Sequence, residues 1–392
     1  MDYYDAVIVG GGPTGLMAAR KIAERGFKVA LFEKDSDVGK KVCGEACSEA
    51  SITDAEISGE RKFLLNRISC VYVYPPDETK PIEIQREIET IGTGYILDKH
   101  GFLKALASEA KKRGASLFFN SHVHDAERSS HQVTVKISEQ GHERQVRSKI
   151  LLGCDGFNSI IRKKFFDPQK IELISCIQYT MTDCNVPDRH VMEFFFGKQV
   201  APLGYLWFFP KSSGVVNLGV GVRGAAAKDF LDKFIRRHPE RLSEAQVQSV
   251  GGAPVIVSGQ IEKFVTDNIL LSGESAGQVI PFTGAGIHTG LVSGKIAAQT
   301  VTEALESEDF SEKRLTTYVE RFNRAYGDRI KKSLRAVRVF ERLDDEYLNQ
   351  LAKILTGEDV IDLANGQNIE RVAKKLLSHP ALALRVAKAL VR

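Results

Sequence analysis

The fold is decided by the 28 residues Ala6–Glu33, AVIVGGGPTGLMAARKIAERGFKVALFE. Ala6–Val9 is a short, largely β-branched run, and Gly10-Gly11-Gly12-Pro13-Thr14-Gly15 follows at once. From Leu16 to Arg25 the apolar residues Leu16, Ala19, Ile22 and Ala23 recur at helical spacing. Lys28–Phe32 is the next strand, and it ends on Glu33. Strand, glycine turn, helix, strand and acid in this order form the βαβ fingerprint of a dinucleotide-binding fold. In that reading Gly10 makes the tight turn, Gly12 lets the backbone approach a pyrophosphate, and Gly15 permits close helix–strand packing. The helix start directs free N–H groups at the phosphates, and Glu33 accepts from ribose hydroxyls, which favours FAD or NAD over NADP.

Working outward, a second match to the glycine spacing occurs at Gly219-Val220-Gly221-Val222-Arg223-Gly224. A helical stretch follows it, Ala225–Arg237, but no strand ending in an acid follows that, so this match is read as a decoy. Gly219 and Gly221 lie two apart and share one strand face, leaving room for something flat or bulky, or for a packed helix. The stretch that contains them, Pro202–Val222, also holds the only tryptophan, Trp207, between Tyr205 and the pair Phe208 and Phe209.

Two later stretches extend the nucleotide reading. The strand Ile150–Leu152 leads into Gly153-Cys154-Asp155-Gly156-Phe157-Asn158-Ser159-Ile160-Ile161-Arg162. The strand Asn268–Ser272 leads into Gly273-Glu274, then Pro281-Phe282-Thr283-Gly284-Ala285-Gly286-Ile287 and a helix over Ile287–Glu306. With the first motif, these resemble the three FAD-binding motifs of flavoprotein monooxygenase-type proteins. Within that group the chain resembles the geranylgeranyl reductase family over nearly its whole length. The specific matches are K-x-C-G-E at Lys41-Val42-Cys43-Gly44-Glu45 and Y-x-W-x-F-P at Tyr205–Pro210.

The resemblance implies FAD bound by Gly10, Gly12, Gly15, Glu33, Cys43, Gly44, Lys99, Asp155, Gly156, Glu274, Gly284, Gly286 and Ile287. It also implies a polyprenyl lipid substrate on a wall of Tyr205, Trp207, Phe208 and Phe209, beside Gly219 and Gly221; the alternative is that these aromatics are core residues on both faces of a buried strand. The chain departs from the family pattern twice. Glu274 stands where an aspartate usually binds the flavin ribitol, and Lys99 stands where arginine is usual. Lysine keeps the charge but not the planar fork, so lower flavin affinity is expected. The implied reaction is hydride transfer from reduced FAD to a C=C bond, with a proton from Cys43, Glu45 or Tyr205. A helix N-terminus at Gly286–Ile287 would stabilise negative charge at the flavin pyrimidine. With no second nucleotide domain, NAD(P)H binds transiently or a ferredoxin-like protein donates electrons. The rival readings are an aromatic hydroxylase on the same scaffold and a non-catalytic flavin- or lipid-binding redox protein.

Composition sets the outer bounds. The 392 residues carry 43% hydrophobic and 27% charged side chains and a net charge of +4, too balanced for a nucleic-acid binder. The longest nearly apolar stretch, Val200–Phe209, is shorter than the ~18 residues of a spanning helix. The chain opens directly on a strand, so no signal peptide is expected. The scattered cysteines at 43, 47, 70, 154, 176 and 184 suit a reducing, cytoplasmic setting, and CxxxC at 43 and 47 is a poor zinc pattern, so no metal is expected. The expected fold class is α/β: a Rossmann-like FAD domain (1–54, 96–165 and 259–320), a β-rich substrate domain (55–95 and 166–258) and a helical C-terminal region (321–392). Arg321–Arg342 reads as one amphipathic helix with eight basic residues (Arg321, Arg324, Arg329, Lys331, Lys332, Arg335, Arg338, Arg342). The helix either helps hold the protein peripherally at an anionic membrane through these basic residues or is a solvated helix packed on the FAD domain by its apolar face, Phe322, Tyr326, Ile330, Leu334 and Val337.

Overall fold

The computed structural model of the protein describes residues 1–85, 94–129, 132–166 and 170–379, with Ala383, Arg385 and Lys388 beyond them. Parts of the expected substrate domain and of the C-terminal region fall on the remaining residues and lie outside the described ones. Two large sheets organise the molecule. The first is built on Asp2–Val9, parallel to Val29–Phe32 on one side and His142–Gly153 on the other. Val9 pairs with both Phe32 and Gly153, and Gly153 pairs with Leu271 of the parallel strand Ile269–Leu271. Four parallel strands therefore end together, which brings Gly10, Glu33, Asp155 and Glu274 to one carboxyl edge, where open α/β sheets bind their ligands. Short apolar runs, buried along Ala6–Val9 and Ile150–Leu152, explain why these segments take central positions. Helix Pro13–Glu24 packs on this sheet between helices Lys99–Lys112 and Ile287–Ser307. Ile8, Leu16, Phe102 and Leu291 belong to the shared core.

The second sheet has seven strands in the order Gln246–Ile256, Leu173–Thr182, Val215–Val222, Tyr205–Ser212, Val191–Phe195, Cys70–Tyr74 and Ile82–Gln85. All its neighbours are antiparallel except Val191–Phe195 with Cys70–Tyr74. One face, carrying Leu206, Phe208, Leu218 and Val220, packs on Leu231 and Phe234 of helix Ala227–Arg237. The other face carries Trp207 and Phe209 with Met192 and Val71. A three-stranded sheet of Ala46–Ser48, Gly94–Leu97 and Leu64–Ile68 joins the two halves.

The chain breaks at Ser69, whose N–H donates to the His190 carbonyl, so the adjoining strands Leu64–Ile68 and Cys70–Tyr74 enter different sheets. Two sequence expectations change. Phe208 leaves the proposed substrate wall. Consecutive strand residues point to opposite faces, and Phe208 lies fully buried under the Arg241 guanidinium, 3.8 Å from its ring centroid. The basic helix expected over Arg321–Arg342 is interrupted. Helix Glu312–Phe322 passes through a π-helical turn, Asn323–Gly327, into helix Asp328–Phe340. Phe322, Tyr326 and Ile330 are buried in the first core, so this part of the apolar face is used in packing. Several of its cations are paired: Arg321 with Glu303, Arg338 with Glu172 and Glu341, and Lys332 with Glu370.

Candidate active site

The nucleotide cradle is shaped by three glycines with different duties. A Cβ on Gly10, where φ is +104°, would lie 2.4 Å from the Cys154 carbonyl oxygen. A Cβ on Gly15 would collide with the Gly10 carbonyl oxygen, so turn and helix touch backbone to backbone. A Cβ on Gly12 meets nothing within 4 Å, so the space above it is open to a pyrophosphate. The helix that starts there has Pro13 at its first turn and no side-chain cap, which leaves its first N–H groups for an anion. Glu33 accepts the Gly11 N–H at 2.6 Å and the Asp35 N–H at 3.0 Å, fixing its carboxylate beside the turn.

A second helix start faces the same region. Helix Ile287–Ser307 begins at Gly286 without a side-chain cap. It crosses Pro13–Glu24 closely enough that a Cβ on Gly294 would lie 2.5 Å from the Thr14 carbonyl oxygen. Two uncapped helix N-termini thus lie side by side. Asp155 Oδ2 accepts the Ile160 N–H at 2.8 Å and the Ile161 N–H at 3.4 Å, while its buried Oδ1 has no partner. Burial raises the Asp155 pKa. An orphaned acceptor, an open glycine cradle and two free helix ends together fit a flavin dinucleotide.

Between the cradle and the second sheet runs the segment Lys41–Glu45. Lys41 pairs with Glu274 at 2.5 Å and lies over the Phe157 ring. Lys99, 8% exposed, donates its Nζ to the Lys41 carbonyl, so it supports this segment from beneath. A Cβ on Gly44 would sit 3.2 Å from the Phe209 ring, which is why Cys43-Gly44-Glu45 can lie flat on the aromatic face. Glu45 adopts φ +68°, a conformation that costs a non-glycine residue of order 1 kcal/mol or more. Its carboxylate is held by Lys211 Nζ at 2.5 Å and approached by the Lys99 N–H at 3.4 Å. Cys43 Sγ accepts the Glu45 N–H at 3.4 Å, and all six cysteines are free thiols.

Sequence reasoning missed the residue that ties these parts together. Asn217, fully buried, accepts from Trp207 Nε1 at 2.9 Å and donates to the Cys43 carbonyl at 3.2 Å and to Glu45 Oε2 at 3.5 Å. The signal lay in the register. Tyr205, Trp207 and Phe209 pair across the ladder with Gly221, Gly219 and Asn217, so three rings face two glycines and an amide. A Cβ on Gly219 would lie 2.2 Å from Trp207 Cζ2, so the flat group that Gly219 admits is the indole of its own sheet. Gly221 lies against Ile174 and Cys176. Burial pushes the Cys176 thiol up to about 11. Tyr205 reaches the other way. Its hydroxyl donates to the Thr283 carbonyl at 2.5 Å, beside Gly284, and burial raises its pKa well above the phenol norm. Phe194 and Phe196 pack around the Tyr205 ring, and Phe282 and Phe340 continue the aromatic surface from Phe196. The site thus joins a dinucleotide cradle to a buried aromatic wall.

Cradle and wall together define a flavin-dependent oxidoreductase, and comparison with known proteins agrees. The model of the geranylgeranyl reductase catalytic domain matches residues 172–255, and that of an NAD(P)-binding Rossmann-like domain matches 8–44. A digeranylgeranylglycerophospholipid reductase of Methanopyrus kandleri is 34% identical over 99% of this chain and 100% of its own. One of Methanocaldococcus jannaschii is 33% identical over 100% of this chain and 99% of its own. The crystal structure of a geranylgeranyl bacteriochlorophyll reductase-like protein from Thermoplasma acidophilum superposes with a TM-score of 0.87 at 29% identity, covering 99% of this chain and 100% of that one. A flavin-dependent brominase shares the fold at a TM-score of 0.74 and 19% identity, covering 93% of this chain and 94% of its own. The chain belongs to the geranylgeranyl reductase family.

Proposed function

We propose that the protein binds FAD and saturates the C=C bonds of the geranylgeranyl chains of archaeal-type glycerophospholipids. The observation that carries this reading is the aromatic face set directly against the Cys43-Gly44-Glu45 segment, with the dinucleotide cradle behind it. Bound FAD, once reduced, supplies a hydride to one carbon of an isolated alkene. The chain's own residues do the rest. Gly10, Gly12 and Gly15 shape the phosphate cradle, and Asp155, Glu274, Gly156 and the Gly284–Ile287 helix start surround the flavin end. Trp207, Phe209 and Tyr205 exclude water and bury the prenyl chain, which favours binding by roughly 25 cal/mol per Å² of apolar surface. Cys43 and Tyr205 are the proposed proton-holding groups at Sγ and Oη. Glu45, engaged by Lys211 and Asn217, anchors the segment instead. Residues 1–54, 96–165 and 259–320 would hold the cofactor, and 55–95 with 166–258 the lipid.

The anaerobic half-reaction tests the proposal. Reduced holoprotein mixed with a digeranylgeranyl glycerophospholipid should regain the oxidised flavin spectrum within its turnover time. An unchanged spectrum, with rapid reoxidation by O₂ and hydroxylation of an aromatic acceptor, would favour the hydroxylase reading. The electron donor, NAD(P)H or a ferredoxin-like protein, follows from which of them reduces the flavin.

Access to a membrane lipid also needs a docking mode. Among the described residues no helix is long and apolar enough to cross a membrane. The exposed cations Arg324, Lys331 and Arg335 on the outer side of the interrupted helix are the proposed peripheral contact, each contributing about 1 kcal/mol near an anionic surface. Co-sedimentation with anionic vesicles at low salt, lost at high salt and in the Arg324→Gln/Lys331→Gln/Arg335→Gln variant, is expected. Equal behaviour with neutral vesicles overturns it.

A further inference from the structure

The helix that begins at Gly286–Ile287 carries at its second position a histidine that the reaction as described does not use. His288 Nε2 lies 2.8 Å from Asp54 Oδ2, and Nδ1 lies 2.6 Å from the Tyr326 hydroxyl. Both ring nitrogens are therefore engaged. A neutral imidazole donates from Nε2 to the carboxylate and accepts the tyrosine proton at Nδ1. Three segments converge here: the helix start at the flavin end, the end of helix Glu49–Ala55 that follows Cys43–Glu45, and the π-helical turn Asn323–Gly327. Tyr326 comes from that turn, 6% exposed and stacked on Phe322. Such turns recur where a side chain is set for function.

We propose that His288, held between Tyr326 and Asp54, is a positioning residue that takes up a proton when the bound flavin is reduced, and so couples the flavin's reduction potential to pH.

The electrostatics of the surrounding groups support a group poised between two states. Asp54 favours the imidazolium. Burial works against its charge, but hydrogen bonds from His288 and Lys295 outweigh this and lower its pKa. Glu56 adds negative charge through the same lysine, which it meets at 2.8 Å. Against the imidazolium stand Lys295, 2.9 Å from Asp54, the Arg329 guanidinium, 4.7 Å from the Tyr326 ring centroid, and the positive end of the helix itself. Reduction places negative charge near that helix end and tips the balance. The account is two electrons and one proton to the flavin from a two-electron reductant, and one further proton from solvent to His288. Side-chain exposures of 27% for His288 and 36% for Asp54 give that proton a route. The tyrosine then turns from donor to acceptor at Nδ1 without moving its oxygen.

The inference rests on the flavin reading, and its test separates the two. The midpoint potential of the FAD-loaded protein is measured by dye-coupled reduction between pH 5 and 9, for wild type, His288→Asn and Asp54→Asn. Wild type should show a break in the plot of potential against pH, with one additional proton taken up per two electrons over part of that range. His288→Asn should lose that break. Asp54→Asn, lacking the carboxylate that favours the imidazolium, should move it to lower pH, and it decides the matter alone if His288→Asn does not fold. A tenfold change in relative stabilisation of the reduced flavin corresponds to 29.6 mV for a two-electron couple. Parallel lines for all three proteins overturn the inference while leaving a flavoprotein. A protein that takes up no flavin overturns both.

Discussion

Asn217→Asp is the most informative single change, because it keeps size and acceptor but removes both donors. The new carboxylate can still accept from Trp207 Nε1 at 2.9 Å. It can no longer donate to the Cys43 carbonyl, and it faces Glu45 Oε2 at about the 3.5 Å of the native contact. Two carboxylates at that distance repel by about 5 kcal/mol at an effective dielectric near 20. The Lys211 ammonium on Glu45 removes part of this, and the unpaired Cys43 carbonyl adds roughly 1–3 kcal/mol. A net loss of about 2–4 kcal/mol at neutral pH follows, a large share of a typical stability of about 5–15 kcal/mol. The sign of the pH dependence is fixed. Burial and Glu45 raise the folded-state pKa of the new carboxyl above its unfolded value of about 3.9. The folded variant then binds the extra proton, and its deficit shrinks as pH falls from that raised value toward 3.9. Protonated, the group can donate to the Cys43 carbonyl again. Urea unfolding followed by the fluorescence of the single tryptophan, at pH 7.5 and pH 5, measures this directly. A deficit that is absent at pH 7.5, or equal at both pH values, would show that Asn217 does not hold this junction.

Three further outcomes follow from the same geometry. Gly219→Ala must expel the indole whose Cζ2 would lie 2.2 Å from the new Cβ; a red-shifted tryptophan emission with lowered lipid turnover is expected, and an unchanged spectrum contradicts the packing. Gly12→Val should leave the flavin-free fold as stable as wild type, since its Cβ meets nothing, while flavin content measured by absorbance falls to near zero; normal yellow protein refutes the cradle. Burial opposes the charge of Glu56, but hydrogen bonds from Lys21 and Lys295 outweigh it and hold its pKa at about 2, so its contribution is present above pH 4.5 and lost as pH falls from there toward 2; Glu56→Gln should flatten acid unfolding in that window, and an unchanged acid limb refutes the network.

Much of this was legible in the sequence because local pattern determined it. The Ala6–Glu33 unit, the helix after Gly286 and the two special motifs are short-range signals in which spacing and residue type carry the geometry. What stayed hidden depended on pairing between distant residues. The face assignment of Phe208 needed only the two-residue period of a strand, which a dense aromatic run masks. The role of Asn217 needed the register that sets it opposite Phe209 and diagonal to Trp207. The π-turn at Asn323–Gly327 left no break in the apolar spacing of Phe322, Tyr326 and Ile330, so an unbroken helix read equally well. Glu45 in the left-handed region was invisible for a similar reason: long-range partners, Lys211 and the Lys99 N–H among them, hold a conformation that its own residue type disfavours.

The central claim is that the aromatic face opposite Cys43–Glu45 presents prenyl alkenes to reduced FAD. The most direct measurement is mass spectrometry of a digeranylgeranyl glycerophospholipid incubated with the holoprotein and dithionite, beside a Trp207→Ala variant of equal flavin content. The account predicts lipid products heavier by successive pairs of hydrogens with the wild type and a marked loss of them in the variant. Unreduced lipid with fully loaded wild-type protein, or equal reduction by both proteins, would contradict it.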